Sequence, residues 1–363
     1  MSALPDEVID LASGQIVEPL SAAVREALTK AMDAPRATAY AAPHGESELR
    51  SAVAEHYGRR TGGEVDAEHI TVTSGARHGL FAAISATAQG GEVLVPQPHW
   101  SHYPHVVRRA QAEPVMVPGE PAHDRLVSPA QLEAATTART RAVLVNSPVN
   151  PSGACHDERR MRDLRAWAAE RNVCLIIDDI YWAYGDPADR NVHASPNEIV
   201  VGGASKVYAL AGLRVGWVWS TPELSAALRE TVEYTTGPVG GLSQAAVTAA
   251  LREHDTVGER AAALAHCRET AVQAMRDVPL LQPVPPAGGI YLCLDATAAL
   301  GRQPFSADDD VALCRVLTEH AGVKLRAGST FGMPGHLRLC VAESEDTLVE
   351  AARRLTAFLS TFA

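Results

Sequence analysis

Lysine is scarce in this chain. It occurs only at Lys30, Lys206 and Lys324 among 363 residues. Lysine and arginine together number 32, so all the others are arginine. Arginine stays protonated in proteins, whereas a lysine in a suitable pocket can lose its proton and become a nucleophile. Each lysine is therefore a candidate reactive group. The alternative is that composition bias has left three solvated lysines.

Other absences narrow the class of protein. No apolar run reaches about 18 residues, the length that a membrane-spanning helix needs, and the start MSALPDEVID has none of the basic and apolar regions of a signal peptide. The net charge of −11 argues against nucleic acid or an anionic membrane as a partner. The six cysteines form no C-x-x-C pair, which predicts free thiols, a cytoplasmic location and no metal site.

Seven short apolar runs alternate with amphipathic stretches along the first two thirds of the chain. Most of these runs are apolar throughout, which is typical of strands buried on both faces of a largely parallel sheet. Stretches such as 76–89 and 157–171 predict the intervening helices, so we expect an α/β domain with helices covering a mostly parallel seven-stranded sheet. The predicted strands are 70–73, 92–96, 114–117, 142–146, 173–178, 198–202 and 215–219.

The pattern changes after about residue 240. A strand pair, 323–326 and 336–341, lies among several helix-like stretches, which predicts a smaller α+β domain. We expect residues 1–38 to pack on the small domain, 39–250 to form the large domain, and 251–363 to form the small one. The predicted helices of this part are 243–253, 258–277, 307–320 and 345–361.

Ligands of an open α/β sheet bind beyond the carboxyl ends of its strands. Candidate ligand-binding residues lie at the ends of five of the predicted strands or shortly after them, and we expect them to meet at one edge of the sheet. They are Ser74, Gly75 and Ala76, then Trp100, Asn150, Asp178, and finally Ser205 with Lys206.

Two of these residues suggest chemistry by themselves. Lys206 lies between a buried strand and a segment with little charge, where the pKa of a lysine falls and its amine can form a Schiff base. Lys30 and Lys324 fit the solvated alternative. Asp178 ends an apolar strand and needs a partner there. Asp179 is the alternative carboxylate, and the pleat places the two on opposite faces of the strand.

The remaining groups each have two explanations. The 74–76 turn before a helix can bind an anion, or it can be an ordinary helix cap. Arg214 can be a phosphate ligand or part of a surface ion pair. Trp100 can stack on a planar ring or cover the core. Asn150 can be a ligand or only a turn residue.

The sequence resembles the fold type I pyridoxal-phosphate enzymes, specifically the class I/II aminotransferases. The matching blocks appear in the family's order and cover nearly the whole chain, and S-K-x-x-x-L-x-G-x-R-x-G with N-x-P-x-N-P-S-G upstream is the most specific combination. The blocks are YAAPHGESELR (40–50), TSGARHG (73–79), VPQPHWSHY (95–103), NSPVNPSG (146–153), IIDDIYWAY (176–184), ASKVYALAGLRVGW (204–217), PAGGIYLCLD (286–295) and STFGMPGHLRLCVA (329–342).

The resemblance implies a role for each candidate around the cofactor ring. Lys206 would form the Schiff base with pyridoxal 5'-phosphate, and Asp178 would pair with the pyridinium nitrogen. Tyr181 and Asn150 would hydrogen-bond the phenolic oxygen, and Trp100 would stack on the ring.

The resemblance also implies the phosphate and substrate ligands. Arg338 would bind the substrate α-carboxylate and Gly14 would line the substrate pocket. Tyr40 would reach the phosphate of a second subunit, which implies a homodimer with shared active sites. The implied phosphate ligands are Ser74, Gly75, Ala76, Ser205 and Arg214.

The chain departs from the family pattern at two positions. Gly203 stands where the family commonly has serine, and Ala327, preceded by Arg326, stands where the family usually has proline. Neither change removes a residue that the implied chemistry needs.

The expected function is pyridoxal-phosphate-dependent transfer of an amino group between an amino acid and a 2-oxo acid, with ping-pong kinetics. A lyase, cyclase or oxidase using the same Lys206 Schiff base is the alternative, for which His99, His102 and His105 would be extra acid–base groups. An effector-sensing module of a transcription regulator would need a DNA-binding segment, and residues 1–38 are too short and too weakly basic. The sequence does not specify the substrate side chain.

Overall fold

The computed structural model describes residues 7–186, 192, 195, 197–302 and 309–362, with only the backbone described at His123. The strands are β1 (Ile9–Asp10), β2 (Ile70–Thr73), β3 (Glu92–Gln97), β4 (Glu113–Pro118), β5 (Thr140–Asn146), β6 (Cys174–Asp178), β7 (Glu198–Gly203), β8 (Gly216–Trp219), β9 (Gln282–Val284), β10 (Tyr291–Asp295), β11 (Val323–Lys324), β12 (Arg326–Ala327) and β13 (His336–Cys340). The α-helices are α1 (Ala22–Met32), α2 (Ser47–Thr61), α3 (Ala76–Ala88), α4 (Tyr103–Arg109), α5 (Pro129–Ala135), α6 (Glu158–Arg171), α7 (Pro222–Thr235), α8 (Gly241–Leu251), α9 (His254–Met275), α10 (Asp310–Val316) and α11 (Glu345–Leu359).

The seven predicted strands form one sheet, in the order β2-β8-β7-β6-β5-β3-β4. Strand β8 is antiparallel to both of its neighbours, and all the other pairs are parallel. All residues of β2, β6, β7 and β8 are buried, as continuous apolar runs predict. The prediction of a mostly parallel seven-stranded α/β sheet is confirmed.

Both faces of this sheet are covered. On β6, Leu175 and Ile177 pack into the apolar cluster that includes residues of α6, whereas Cys174 and Ile176 pack into the cluster that includes residues of α3. This alternation is the period-2 pleat of a strand. Helices therefore cover the sheet on either side, and its strand ends are left to form a site.

A second sheet, in the order β12-β13-β10-β9, is antiparallel and forms the smaller α+β unit with α9, α10 and α11. Buried residues of α11 recur at helical spacing, as in Leu348, Leu355 and Leu359. The Asp309 side chain caps α10 by accepting from the Ala312 N–H at 2.7 Å. The predicted helix 307–320 therefore begins at Asp310 within the described residues, and positions 307–308 lie outside them.

The prediction of a single strand at 323–326 is wrong. The run is divided between two sheets: Val323 and Lys324 pair in parallel with Ile9 and Asp10, whereas Arg326 and Ala327 pair with β13. The alternation V-K-L-R-A reads as one strand because every second side chain is buried along the whole run, and pairing partners are not visible in that pattern.

The amino-terminal segment packs against the cores of both the large sheet and the smaller unit. Leu11 belongs to the apolar core of the smaller unit, whereas α1 packs on α8 and buries Val24 in the core of the large sheet. The division into 1–38, 39–250 and 251–363 remains a prediction. Across the described ranges, no helix combines the length and apolarity needed to cross a membrane.

Candidate active site

The carboxyl ends of β2, β3, β5, β6 and β7 lie at one edge of the large sheet, because β2 and β7 are both antiparallel to β8 and β7 is parallel to the rest. A cavity of about 360 Å³ opens there, within the usual size of small-molecule sites. Ten sequence-predicted residues line it: Gly14, Ala76, Trp100, Asn150, Asp178, Tyr181, Ser205, Lys206, Arg214 and Arg338.

Lys206 projects into this cavity from the loop after β7. Its Nζ donates to the Gly14 carbonyl, which belongs to the amino-terminal segment. Burial lowers the pKa of the Lys206 amine, and the charges of Arg338 and Arg214 lower it further, against opposing contributions from Cys340 and Asp178. The amine is therefore easier to deprotonate than an exposed lysine, as a nucleophile or base requires.

Asp178 is the cavity-facing carboxylate at the end of β6. It accepts a hydrogen bond from the Tyr103 hydroxyl at 2.6 Å and one from the Ile180 N–H at 3.3 Å. Burial raises the pKa of Asp178 to about 6, although these two hydrogen bonds oppose the rise. Asp179 does not line this cavity and forms an ion pair with Arg60 instead.

Arg338 on β13 joins the smaller sheet to the site. It donates to Asn150 Oδ1 at 2.9 Å and to the Ala12 carbonyl at 2.7 Å, and its guanidinium lies 4.0 Å from the centre of the Tyr291 ring. Its Nε is buried and has no hydrogen-bond partner among the described residues. Arg338 as a whole residue is only 5% exposed. An anion beside its guanidinium would therefore interact with that charge in a strongly desolvated environment.

Several aromatic side chains line the cavity. The Tyr181 and Tyr291 hydroxyls are 3.2 Å apart, and burial raises the pKa of Tyr181 well above its usual value. Gly14 is required beside them, because a Cβ there would lie 1.8 Å from the Tyr291 hydroxyl. Trp100 lines the cavity from the loop after β3, with the Arg77 guanidinium 5.1 Å from its ring centre.

The turn before α3 meets Arg214 at one end of the cavity. Gly75 has a left-handed φ of 79°, and a Cβ there would lie 2.5 Å from Arg214 Nη2, so the position is suited to glycine. The Ser74 N–H donates to His78 Nδ1 at 3.3 Å. Ala76 lines the cavity, whereas Ser74 and Gly75 do not.

Tyr40 is the candidate that the structure leaves apart from the site. It is 90% exposed and does not line the cavity. Gly203, the departure from serine, lies inside β7, where a Cβ would approach the Val215 carbonyl to 3.2 Å. Ser205 lines the cavity and supplies a hydroxyl nearby.

Sequence reasoning missed several groups of the site. Tyr103, Tyr291 and Ala12 contact Asp178, Tyr181 and Arg338 respectively, and none of them was a candidate. Tyr103 and Tyr291 lie inside motif blocks that resemble the family, so those blocks were the available signal. Arg326, whose direction the sequence did not show, lines the cavity. Within the described ranges, no three His, Cys, Asp or Glu side chains are grouped to hold a metal ion.

Comparison with known proteins shows the family of the chain. Residues 6–355 match the family described as aminotransferase class I and II. An aspartate aminotransferase of Streptomyces avermitilis is 33% identical, with 97% of this chain and 89% of that protein covered. An asparagine--oxo-acid transaminase of Streptococcus mutans is 29% identical over 97% of this chain and 92% of its own length.

Solved structures show the same similarity in three dimensions. The crystal structure of an aspartate aminotransferase from Rhizobium meliloti superposes with a TM-score of 0.91 at 30% identity, covering 98% of this chain and 92% of that one. With the family match, this similarity confirms the fold expected from the sequence motifs. The chain belongs to the class I and II aminotransferase family, and it is an aminotransferase.

Proposed function

We propose that this aminotransferase binds pyridoxal 5'-phosphate in the cavity at the edge of the large sheet and uses it to exchange an amino group between an amino acid and a 2-oxo acid. The observation that carries the proposal is the convergence of Lys206, Asp178 and Arg338 on one cavity. The family to which the chain belongs implies this cofactor.

The residues of the cavity fit the cofactor's chemical groups. The glycine turn before α3 and Arg214 approach each other closely enough to form a cradle for a phosphate. Asp178 is a buried carboxylate with no lysine or arginine ion pair in the described part of the chain, so a protonated ring nitrogen suits it. Lys206 is the amine positioned to hold the aldehyde carbon covalently.

When bound, pyridoxal phosphate supplies an electron sink for the substrate carbanion. The chain supplies the positioning and the proton transfer. Arg338 binds the α-carboxylate with its planar fork, and Asn150 holds Arg338 in place. Lys206 Nζ, with its lowered pKa, takes the Cα proton of the amino acid. Trp100 and Tyr291 line the cavity and supply aromatic surface against which a planar ring can pack.

The remaining ligand assignments and the assembly are part of the same proposal. Ser74, Gly75, Ala76 and Ser205 complete the phosphate site. Tyr40, which is 90% exposed, reaches the active site of a second copy, so the enzyme is a homodimer with shared sites. The six cysteines are free thiols, which supports a reducing cytoplasmic location.

The names of the relatives suggest the substrate. Two similar proteins are named as an aspartate aminotransferase and an asparagine--oxo-acid transaminase. The amino acids in these two names differ in side-chain charge, because aspartate has a carboxylate where asparagine has a neutral amide. We propose aspartate as the amino donor and a 2-oxo acid as the acceptor for this chain.

The test compares Lys206→Ala with Lys324→Ala after loading each protein with pyridoxal phosphate. Borohydride reduction followed by peptide mass spectrometry should find the cofactor on Lys206 in the wild type and in Lys324→Ala. We expect Lys206→Ala to lose both this attachment and turnover of aspartate. The arginines that remain in the cavity stay protonated, so none of them can replace the deprotonated amine.

Product analysis completes the test. Oxaloacetate together with the pyridoxamine form of the cofactor supports transfer, whereas ammonia or peroxide as the main product supports a lyase or an oxidase. Normal turnover by Lys206→Ala without added amines, or a wild-type protein that takes up no pyridoxal phosphate, would contradict the proposal.

A further inference from the structure

Arg326 is paired in the sheet with Arg338. The register of β12 and β13 places these two residues directly opposite each other, so their side chains leave the same face of the sheet. Both residues line the cavity. Arg338 is buried, whereas Arg326 is exposed, which places Arg326 nearer to the solvent side of the site.

The two arginines differ in their partners. Arg338 is held by Asn150 and by the Ala12 carbonyl. Arg326 is paired with Arg338 through the strand backbones, but its side chain makes no hydrogen bond and no ion pair with any described residue. Its guanidinium is therefore free to bind a group that enters the cavity.

Positive charge exceeds negative charge around the cavity. Four arginines and Lys206 line it, and Asp178 is the one acidic residue among the described lining residues. In the proposed function Arg214 binds the phosphate, Arg338 the α-carboxylate and Lys206 the cofactor. This assignment leaves two guanidinium groups, those of Arg326 and Arg77. Arg77 lies over the Trp100 ring, 5.1 Å from its centre, whereas Arg326 has no comparable partner.

The surroundings of Arg326 strengthen its positive field. Burial lowers the pKa of His102, and the charges of Arg77, His105 and Arg326 lower it further. Arg326 and Arg77 are thus both close enough to act on the same imidazole. A ligand group beside these two arginines meets two cations, whereas Asp178 is the one carboxylate among the described lining residues, and this balance favours an anion.

We propose that Arg326 binds the side-chain carboxylate of a dicarboxylic substrate and selects acidic substrates over neutral ones. This inference rests on the proposed function, because it takes the α-carboxylate to be on Arg338. The neighbouring arginine on the same sheet face then meets the second carboxylate. The selecting residue belongs to the subunit that supplies Lys206, and it occupies the position next to Ala327, where the chain departs from the family pattern.

The first test is a change of specificity in Arg326→Gln. We expect kcat/KM for aspartate to fall by about 10- to 100-fold, the usual range for losing a hydrogen bond between charged groups. The value for asparagine, which has the same shape but no side-chain charge, should change by less than about 3-fold. Lys324→Gln is the matched control, because Lys324 is two residues away, pairs with Asp10 outside the cavity, and should leave both values unchanged.

A binding measurement separates recognition from turnover. Calorimetry with the cofactor-loaded enzyme compares succinate, an unreactive dicarboxylate, with butyrate, a monocarboxylate of the same chain length. Arg326→Gln should weaken succinate binding by about 10- to 100-fold and leave butyrate binding unchanged. Arg326→Lys, which keeps the charge but loses the planar fork, should give an intermediate loss for succinate.

The outcomes distinguish this inference from the proposed function. A wild-type protein that takes up no pyridoxal phosphate or transfers no amino group fails the proposed function. A wild type that transfers an amino group but prefers asparagine to aspartate overturns the role of Arg326 and the choice of aspartate as donor, and leaves the proposed amino-group transfer intact. Equal losses for aspartate and asparagine, or equal losses for succinate and butyrate, also overturn it, because Arg326 would then act on the α-carboxylate or on the cavity as a whole.

Discussion

Asp178 and Asp179 are neighbours at the end of the same strand, and the structure uses them differently. Both are almost fully buried, at 5% and 4% exposure. Asp179 forms an ion pair with Arg60 on the side away from the cavity. The Asp178 carboxylate faces the cavity and accepts hydrogen bonds from the Tyr103 hydroxyl and the Ile180 N–H, and it forms no ion pair with any residue that the structure describes.

The difference shows how a ligand-binding carboxylate can be told from a structural one. A buried charge is tolerated when the fold supplies its counter-charge, as it does for Asp179. For Asp178 the fold supplies two neutral donors, and burial raises the pKa of this carboxyl to about 6. A carboxylate kept in this condition is suited to a cationic group of a ligand, and such residues are concentrated at functional sites.

The largest expected effect is the loss of activity in Asp178→Asn. The change keeps the shape but removes the charge that would hold the cofactor ring nitrogen protonated. We expect kcat/KM to fall by about 10³-fold or more, comparable to removing a preorganised polar group from an active site. Steady-state kinetics at saturating cofactor measures this fall in kcat/KM. Asp179→Asn is the control variant, and both variants are assayed at low temperature so that each stays folded. A fall of less than 10-fold would contradict the assignment of Asp178.

Asp179→Asn should instead damage the fold. Removing this carboxylate takes a buried counter-charge away from Arg60, so we expect the free energy of unfolding to fall by about 3 kcal/mol. Chemical denaturation of the cofactor-free protein measures it. Removing Arg60 as well, in Arg60→Leu with Asp179→Asn, should recover part of the loss. A double variant that loses the full sum of the two single effects would contradict the pairing.

Asp178→Asn should have the opposite effect on stability. Because the pKa of Asp178 rises from 3.8 to about 6 on folding, the folded state binds the proton more tightly. Ionisation therefore destabilises the fold progressively between these two pH values, and the full penalty remains at pH 8. Removing the charge should stabilise the cofactor-free protein by about 3 kcal/mol at pH 8 and by nothing below about pH 4. A gain that does not depend on pH would refute this explanation.

Tyr103→Phe should give the smallest change. The hydroxyl stabilises the Asp178 carboxylate, so its loss should raise the pKa of Asp178 further and cost about 1 kcal/mol. Cofactor affinity should fall at acidic pH as Asp178 becomes protonated, and we expect this fall to begin at a higher pH in Tyr103→Phe than in the wild type. Tyr57→Phe is the control, because the Tyr57 hydroxyl accepts from Trp217 inside the core. An equal shift in both variants would mean that Tyr103 is only structural.

The large sheet and most of the site were predictable from the sequence, because both depend on local patterns. Continuous apolar runs identify buried strands, and the residues that follow them must lie at one sheet edge. Lys206, Asp178 and Asn150 were found this way, before any resemblance was used. The cavity lining agrees with those positions.

What the sequence did not show depends on partners distant along the chain. Tyr103 reaches Asp178 across 75 positions, and Arg338 reaches the Ala12 carbonyl across 326 positions. Neither contact leaves a local pattern. The direction of Arg326 was unreadable for the same reason, since it follows from the pairing of β12 with β13. The role of Tyr40 stays a prediction, because it concerns a second subunit.

The amino-terminal segment has a consequence for how this protein is handled. Ile9 and Asp10 are fixed by pairing with β11, and the carbonyls of Ala12 and Gly14 reach Arg338 and Lys206 within the next four residues. A residue spans at most about 3.6 Å, so this stretch has little slack. Trimming the chain past residue 8, or inserting a residue after Asp10, would therefore be an active-site mutation, although these positions are almost 200 residues from Lys206 in the sequence.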